Sequence, residues 1–157
     1  MQIITAESEQ HFATARALFQ EYAASLGVDL CFQDFDTELA TLERMYAAPG
    51  GRLLLALDGD AFAGCAAVRA LSVEGARGTC EMKRLYVRPD YRGTGLGRRL
   101  AQEILQAGRA LGYTRMVLDT LVTMDRARAL YGVLGFRDIA AYYPNPLPGV
   151  RYMEADL

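Results

Sequence analysis

The sequence lacks the features that mark membrane-spanning, secreted and metal-binding proteins. No apolar run approaches the roughly 20 residues that a membrane helix needs, and the first residues have neither the basic start nor the apolar core of a signal peptide. The cysteines are Cys31, Cys65 and Cys80, an odd number in which no pair has metal-ligand spacing. We therefore expect reduced thiols, no bound metal and a cytoplasmic location.

An excess of charge of one sign is also missing. The formal net charge at pH 7 is -2, which favours neither nucleic acid nor a membrane surface as a partner. What is present is a large apolar fraction, 52% of the 157 residues, and this argues against disorder. Length and composition together predict one domain over residues 1–157, large enough to bury a core.

Hydrophobic periodicity predicts both helices and strands along the chain. Apolar residues at helical spacing predict helices over residues 7–26, 36–47, 94–111 and 125–134. Apolar and β-favouring runs between turn signals predict strands over residues 2–5, 52–57, 61–71, 80–87, 114–119, 136–143 and 150–157. Strands joined by hairpins should be antiparallel, whereas a helix joins 80–87 to 114–119 and implies a parallel pair. The expected fold class is α/β, with a mixed, mostly antiparallel central sheet flanked by helices.

The most informative stretch is a glycine-rich loop between a predicted strand and the helix that follows it. It reads Arg92-x-x-Gly95-x-Gly97, and glycine lets the backbone approach a ligand because no Cβ intervenes. Unpaired N–H groups and the positive end of the helix dipole make such a turn an anion site. The loop lacks the Gly-Lys-Ser/Thr ending of an ATP-binding P-loop, and its third glycine comes one residue early for a dinucleotide-binding motif.

An ordinary glycine-rich turn is the alternative for this loop. Arg98 and Arg99 stand in the first turn of the predicted helix, where positive charge opposes the helix dipole unless an anion offsets it. The two arginines therefore favour the anion-binding interpretation.

The loop spacing resembles the acetyl-CoA pyrophosphate loop of the GNAT N-acetyltransferases, Gln/Arg-x-x-Gly-x-Gly/Ala. Residues 127–136, ARALYGVLGF, resemble that family's Ala-x-x-Leu-Tyr-x-x-x-Gly-Phe element, and the predicted element order matches too. The resemblance implies acetyl-CoA as co-substrate, with Leu85, Tyr86 and Val87 pairing with the pantetheine arm as an added strand would. The residues that it assigns to the pyrophosphate loop are Arg92, Gly93, Thr94, Gly95, Leu96, Gly97 and Arg98.

Two residues carry the chemistry that the resemblance implies. Regular alternation along the strand puts Glu81 on the same face as Lys83 and Leu85, and GNAT enzymes often carry the general base four residues before the position of Leu85. Glu81 is therefore the candidate base for an incoming ammonium group, with a structural ion pair to Lys83 as the alternative. Tyr131 matches the family's general acid, which protonates the departing thiolate, with core packing as the alternative.

The acceptor site is the least determined part of the sequence. In the GNAT fold the acceptor enters between the link that joins the first two helices and the last two strands. The candidate residues in those segments are Asp29, Phe32, Gln33, Tyr142, Tyr143 and Arg151, and core or loop packing is the alternative for each. An arginine among tyrosines suits a small carboxylate, whereas Asp29 suits an amine. Met124 stands where many family members have an asparagine that bonds the cofactor arm, so that contact is not carried over.

These features predict an N-acetyltransferase that moves the acetyl group of acetyl-CoA to an amine by direct attack in a ternary complex. A homodimer is left open, and so is the acceptor: a small amine, an amino acid, an antibiotic or a protein lysine. Two other functions compete with this one. The chain could be a CoA-binding regulatory module that has lost turnover or, as a weaker alternative, a nucleotide-binding protein that uses the same loop.

Overall fold

The computed structural model describes residues 1–157 apart from the side chain of Phe32, so the prediction that Phe32 binds the acceptor lies outside the described residues. The strands are β1 (Gln2–Thr5), β2 (Arg52–Asp58), β3 (Ala61–Ala70), β4 (Thr79–Val87), β5 (Arg115–Leu121), β6 (Arg137–Ile139) and β7 (Val150–Asp156). The helices are α1 (Glu9–Leu26), α2 (Phe35–Ala40), α3 (Leu42–Met45), α4 (Leu96–Ala110) and α5 (Asp125–Val133). Short 3-10 turns cover Cys31–Gln33 and Pro89–Tyr91.

The strands form one sheet in the order β1-β2-β3-β4-β5-β7-β6. Every neighbouring pair is antiparallel except β4 and β5, which run parallel because α4 carries the chain from one to the other. The predicted mixed, mostly antiparallel α/β fold is therefore confirmed. Within the described residues, none of the helices combines the length and the apolarity needed to cross a bilayer.

Helix α1 is bounded at both ends by residues that cap it. The Ser8 side chain accepts a hydrogen bond from the N–H of His11 and so caps the first turn. Gly27 ends the helix with a φ of 64°, a left-handed conformation in which glycine has no Cβ to clash. Between these caps the apolar stripe is buried against the sheet at Phe12, Ala15, Leu18 and Phe19.

Two element predictions were wrong in extent. The predicted helix over 36–47 is broken into α2 and α3 because Thr41 leaves the helical region at φ −127°, with its hydroxyl bonded back to the Thr37 carbonyl. The predicted strand over 136–143 is paired only as β6. Tyr142 and Tyr143 lie outside the ladder, and their rings pack against Tyr152, 5.3 and 5.6 Å between centroids.

The sheet has a hydrophobic cluster on each face. Helices α4 and α5 cover one face, where Leu100, Ile104 and Tyr131 pack over Met82 and Met116. Helices α1, α2 and α3 cover the other face, with a separate cluster that includes Leu18, Phe19 and Tyr46. Because different helices cover the two faces, the direction of a β4 side chain decides which of the two clusters it contacts.

Candidate active site

The loop before α4 presents a row of unpaired backbone donors. The first hydrogen bond of this helix runs from the Arg99 N–H to the Gly95 carbonyl, 3.1 Å apart. Within the described residues, the N–H groups of residues 93–98 have no acceptor. Gly93 and Gly95 have φ values of 79° and 85°, a left-handed conformation that other residues adopt only with strain. This is the geometry that binds the oxygens of a phosphate group.

A groove of about 750 Å³ runs from this loop along the end of β4 to α5. The residues assigned to acetyl-CoA that line it are Leu85, Tyr86, Val87, Arg92, Gly93, Gly95, Leu96 and Gly97. Thr94 and Arg98 do not line it: the Thr94 hydroxyl donates to the Tyr91 carbonyl, and Arg98 is exposed. The predicted loop thus forms one wall of a groove long enough for an extended ligand.

Strands β4 and β5 separate where the groove begins. Their parallel pairing ends at Glu81 and Val117, although β4 continues to Val87 and β5 to Leu121. Beyond that point the facing edge of β4 is not paired with a neighbouring strand. An extended amide-containing chain can hydrogen-bond to such an edge as an added strand does.

A bulge at Arg84 reverses the alternation of side chains along β4. Lys83 pairs with Ala67 and Tyr86 with Cys65, so Arg84 and Leu85 together stand opposite one residue of β3. Arg84 has a φ of 56°, which is rare for a residue with a side chain. The extra residue changes which face every following side chain points to.

The prediction that Glu81 and Leu85 share a face was therefore wrong. Leu85 packs with the α4 and α5 cluster. Glu81 lies on the opposite face, 4% exposed, where its carboxylate is 3.0 Å from Lys83 Nζ and 3.9 Å from Arg69 Nη2. The ion pair with Lys83 is the structural alternative that the sequence left open.

The Arg84 side chain is anchored by Glu38 of α2. Its Nε and Nη2 donate to the two oxygens of the Glu38 carboxylate, at 3.2 and 2.6 Å, and Tyr46 donates a third hydrogen bond to Glu38. Burial alone would raise the pKa of the Glu38 carboxyl, but the hydrogen bonds and charge of Arg84 outweigh it and hold the pKa below its usual range. Neither residue of this pair was predicted from the sequence.

Tyr131 lies where the groove meets a smaller cavity of about 50 Å³ in the gap between β4 and β5. Both spaces are lined by Tyr131, Leu85 and Met124. The ring is 7% exposed, and burial, with smaller effects of Tyr22 and Asp119, raises the pKa of its phenol above the usual value. Within the described residues its hydroxyl has no hydrogen-bond partner and is not sealed off from the cavity. A protonated donor therefore stands at the junction of the two spaces.

The carboxylate in the smaller cavity belongs to Asp119 of β5. Three donors converge on its Oδ2: Tyr143 Oη, Gln33 Nε2 at 3.2 Å and Asn145 Nδ2 at 3.3 Å. Its Oδ1 accepts no hydrogen bond from the described residues. The carboxylate is thus held in one orientation with one oxygen free for a ligand. An aspartate inside the apolar run of β5 was the available signal, and the sequence analysis did not use it.

The predicted acceptor residues divide into three groups. Gln33 and Tyr143 reach the Asp119 carboxylate. Tyr142 lines a neighbouring cavity together with Lys83 and Arg69. Asp29 and Arg151 are exposed, and the Asp29 carboxylate accepts from the Cys31 N–H as a local turn contact. Met124, which stands where many GNAT proteins have an asparagine, lines both the groove and the cavity that contains Asp119.

Comparison with known proteins matches these features to one family. The model of the acetyltransferase (GNAT) family matches residues 15–136, which include the glycine loop, Asp119 and Tyr131. This chain belongs to the GNAT family. An uncharacterized N-acetyltransferase of Schizosaccharomyces pombe is 48% identical over 143 residues, covering 90% of this chain and 86% of the relative.

Solved structures of GNAT proteins share the whole fold. An acetyltransferase from Streptococcus agalactiae superposes with a TM-score of 0.77 at 25% identity, covering 99% of this chain and 98% of the other. An acetyltransferase from Salmonella typhimurium, solved with its cofactor acetyl-CoA, gives a TM-score of 0.74 at 22% identity, covering 99% and 93%. GNAT proteins use acetyl-CoA, and the Salmonella structure contains it as cofactor.

Proposed function

We propose that the protein transfers the acetyl group of acetyl-CoA to the amine of an acceptor by direct attack in a ternary complex. The observation that carries this proposal is the junction at Tyr131, where the groove for an extended CoA meets the cavity that contains Asp119. A thioester at that junction would have a phenol on one side and a carboxylate on the other. No covalent enzyme intermediate is needed, because both substrates can reach the same point.

Backbone donors hold the co-substrate in this proposal. The free N–H groups of residues 93–98 bind the pyrophosphate, and the edge of β4 at residues 85–87, with which no described strand pairs on that side, binds the pantetheine arm. The N–H of Leu85, next to the bulge, polarises the thioester carbonyl. This assignment agrees with the orientation of the β4 side chains, since Leu85 and Val87 pack on the side of α4.

Asp119 is the general base that we favour. An amine enters as an ammonium ion and must lose one proton before it can attack. The free Oδ1 of Asp119 is directed by the three hydrogen bonds to Oδ2, and Asp119 lines the same cavity as Leu85 and Tyr131. Glu81 stays a candidate from the sequence, but its carboxylate is paired with Lys83 at 3.0 Å and does not line the cavity that contains Leu85 and Tyr131.

Tyr131 completes the proton transfers. Attack of the neutral amine on the thioester carbonyl forms the C–N bond, and collapse of the tetrahedral adduct breaks the C–S bond. The Tyr131 phenol gives its proton to the departing thiolate, and the second proton of the amine nitrogen restores the phenol. The products are an N-acetylated acceptor and CoA, and Asp119 returns the first proton to solvent.

The test is an acceptor screen with two readouts. The protein is incubated with acetyl-CoA and a panel of amines, and free CoA and the acetylated product are both measured by mass spectrometry. A thiol-reactive dye serves as a second assay only with a Cys31→Ser background, since Cys31 is exposed. Acceptor-dependent product formation that Tyr131→Phe slows supports the proposal. Tight acetyl-CoA binding without product from any amine would instead identify a CoA-binding module.

A further inference from the structure

A second cavity lies next to the one that contains Asp119. It has a volume of about 310 Å³ and is lined by Arg69, Lys83, Glu81 and Tyr142. Gln33 and Lys83 line both cavities and so form the wall between them. This volume is at the lower end of the range for small-molecule sites, so it suits one functional group with a short side chain.

The side chains of this cavity offer more hydrogen-bond donors than acceptors. Arg69 has five N–H donors, yet its nearest partners are the Met45 sulfur at 3.0 Å and a Glu81 oxygen at 3.9 Å. Lys83 is 3.0 Å from the same Glu81 oxygen and 3.5 Å from Gln33 Oε1. A single carboxylate is thus shared by two cations, one of which has no oxygen within hydrogen-bond distance in the described residues.

The Tyr142 hydroxyl is a further unused donor. It is buried, and within the described residues it has no hydrogen-bond partner. Burial, with the negative charges of Glu81 and Asp119, raises the pKa of Tyr142 far above its usual value, so the hydroxyl keeps its proton. An unpartnered buried hydroxyl costs free energy unless a ligand supplies the acceptor.

The acidic residues of the cavity do not cancel this surplus. Glu81 is committed to Lys83, and Asp34 is exposed to solvent, which screens its charge. A ligand group that fits must therefore supply acceptor oxygens and a negative charge. A carboxylate does both, and its two oxygens match the planar fork of a guanidinium.

We propose that this cavity binds a carboxylate of the acceptor, so that the substrates are amines that carry a carboxylate, such as amino acids. Arg69 and Lys83 are the charged partners, and the Tyr142 hydroxyl is the third donor. This inference rests on the proposed acetyl transfer, because the amine of the same molecule must reach Asp119. The Gln33 amide, which donates to Asp119 at 3.2 Å and accepts from Arg84 at 2.9 Å, lies between the two cavities, so one ligand can span both only when this side chain moves.

The experiment compares matched acceptors that differ by one carboxylate. The pairs are phenylalanine with phenethylamine, and alanine with ethylamine. Turnover with acetyl-CoA is measured for each, and so is equilibrium binding of each to the CoA-loaded protein. In at least one pair, we expect the carboxylated member to have a kcat/KM about 10- to 100-fold higher, the worth of one charged hydrogen-bonded contact.

Variants of Arg69 separate recognition from folding. Arg69→Gln should lower the preference for the carboxylated acceptor about 10-fold by raising its KM. Arg69→Lys should restore part of the preference, because lysine returns the positive charge but not the paired donors of the guanidinium. Arg44→Gln, at an exposed arginine on the neighbouring helix α3, is the matched control and should change nothing. Tyr142→Phe should weaken binding of the carboxylated member and leave the melting temperature unchanged or higher, because it removes an unpartnered hydroxyl.

The outcomes distinguish this inference from the proposed function. If amines are acetylated but no pair shows a preference that depends on Arg69, the carboxylate subsite is wrong and acetyl transfer stands. If no acceptor is acetylated but carboxylates bind in an Arg69-dependent way, the subsite stands and the transfer reaction is wrong. If the screen finds only macromolecular amines without a nearby carboxylate, the cavity has another role and the inference is overturned.

Discussion

Glu38 and Arg84 form a two-point ion pair across 46 residues of sequence, with side chains that are 2% and 3% exposed. The pair connects α2 to the bulge of β4, and the bulge turns Leu85 toward the α4 side of the sheet, where it lines the groove. The Arg84 guanidinium also lies 5.1 Å from the centre of the Phe35 ring and 5.8 Å from that of Tyr22. These contacts fix the position of Arg84, and a strained φ is retained only where the surrounding structure fixes the residue.

The first prediction is that Glu38→Gln strongly destabilises the protein. The substitution leaves the Arg84 charge buried without a counter-ion, and breaking a buried pair in this way costs about 3–5 kcal/mol. Denaturant titration should therefore show a lower midpoint. The double variant Glu38→Gln with Arg84→Met should recover part of the loss, since no unpaired charge then stays buried. Equal stability of wild type and Glu38→Gln would contradict this account of the bulge.

The same pair predicts how stability depends on pH. The folded-state pKa of Glu38 is held below its usual range, so the stabilisation is fully present above the unfolded pKa of about 4.3. It is lost as the pH falls through the folded-state pKa, because a protonated Glu38 no longer balances Arg84. Unfolding measured from pH 7 to pH 3 should show a decline that is shallower in Glu38→Gln. If both proteins lost the same stability between pH 7 and pH 3, other carboxylates would determine this pH dependence.

A third prediction separates Asp119 from Glu81 as the general base. Asp119→Asn keeps the shape and the hydrogen bonds to Oδ2 while removing the base, so kcat/KM at neutral pH should fall roughly 10- to 1000-fold. Raising the pH should restore part of the activity, because more of the acceptor is then deprotonated. Glu81→Gln should instead reduce stability, since it leaves Lys83 buried without its partner. A pH–rate profile and a melting curve on both variants decide between them. Full activity of Asp119→Asn with a pH-rescued loss in Glu81→Gln would reverse the assignment.

Tyr131→Phe should slow the chemistry and spare the binding of the co-substrate. The ring stays in its packing with Phe136, 5.7 Å between centroids, while the proton donor is lost. We expect kcat to fall about 100-fold with little change in acetyl-CoA affinity. Tyr113→Phe is the control, because the Tyr113 hydroxyl donates to the Gly50 carbonyl away from the groove. Unchanged turnover under conditions where the chemical step limits the rate would make Tyr131 a packing residue.

Gly97→Ala tests the approach of the ligand to the loop without straining the backbone. A Cβ at this helical position would meet only the Val87 side chain, at 3.7 Å, so the fold should tolerate it. If a pyrophosphate lies against the loop, the methyl group should weaken acetyl-CoA binding measured by calorimetry. Gly132→Ala in α5 is the control: it has open space and should stabilise the protein by about 0.5–1 kcal/mol without affecting binding. Equal affinities in all three proteins would argue against close backbone contact.

Local signals in the sequence were sufficient for the order of elements and for the glycine loop that lines the groove. The glycines of residues 93–97 and the strand before them are contiguous, and a phosphate loop depends on local backbone geometry that glycine permits. The caps of α1 are also local, because Ser8 and Gly27 interact only with residues that are close to them in sequence. The cavity that contains Asp119 is not formed by local sequence: Gln33, Asp119 and Tyr143 come from three distant segments, and only Gln33 and Tyr143 were predicted to bind the acceptor.

The sequence by itself determined the fold class, the family and the glycine loop that lines the groove, because each depends on periodicity or on contiguous residues. Only the tertiary structure decided which carboxylate shares a cavity with Tyr131. Regular alternation predicted Glu81, but a bulge at Arg84 reverses the faces of β4. Arginine has no preference for a positive φ, so the residue type at position 84 does not predict a bulge. The Glu38 carboxylate and the packing around Arg84 hold it, and those contacts exist only in the folded chain.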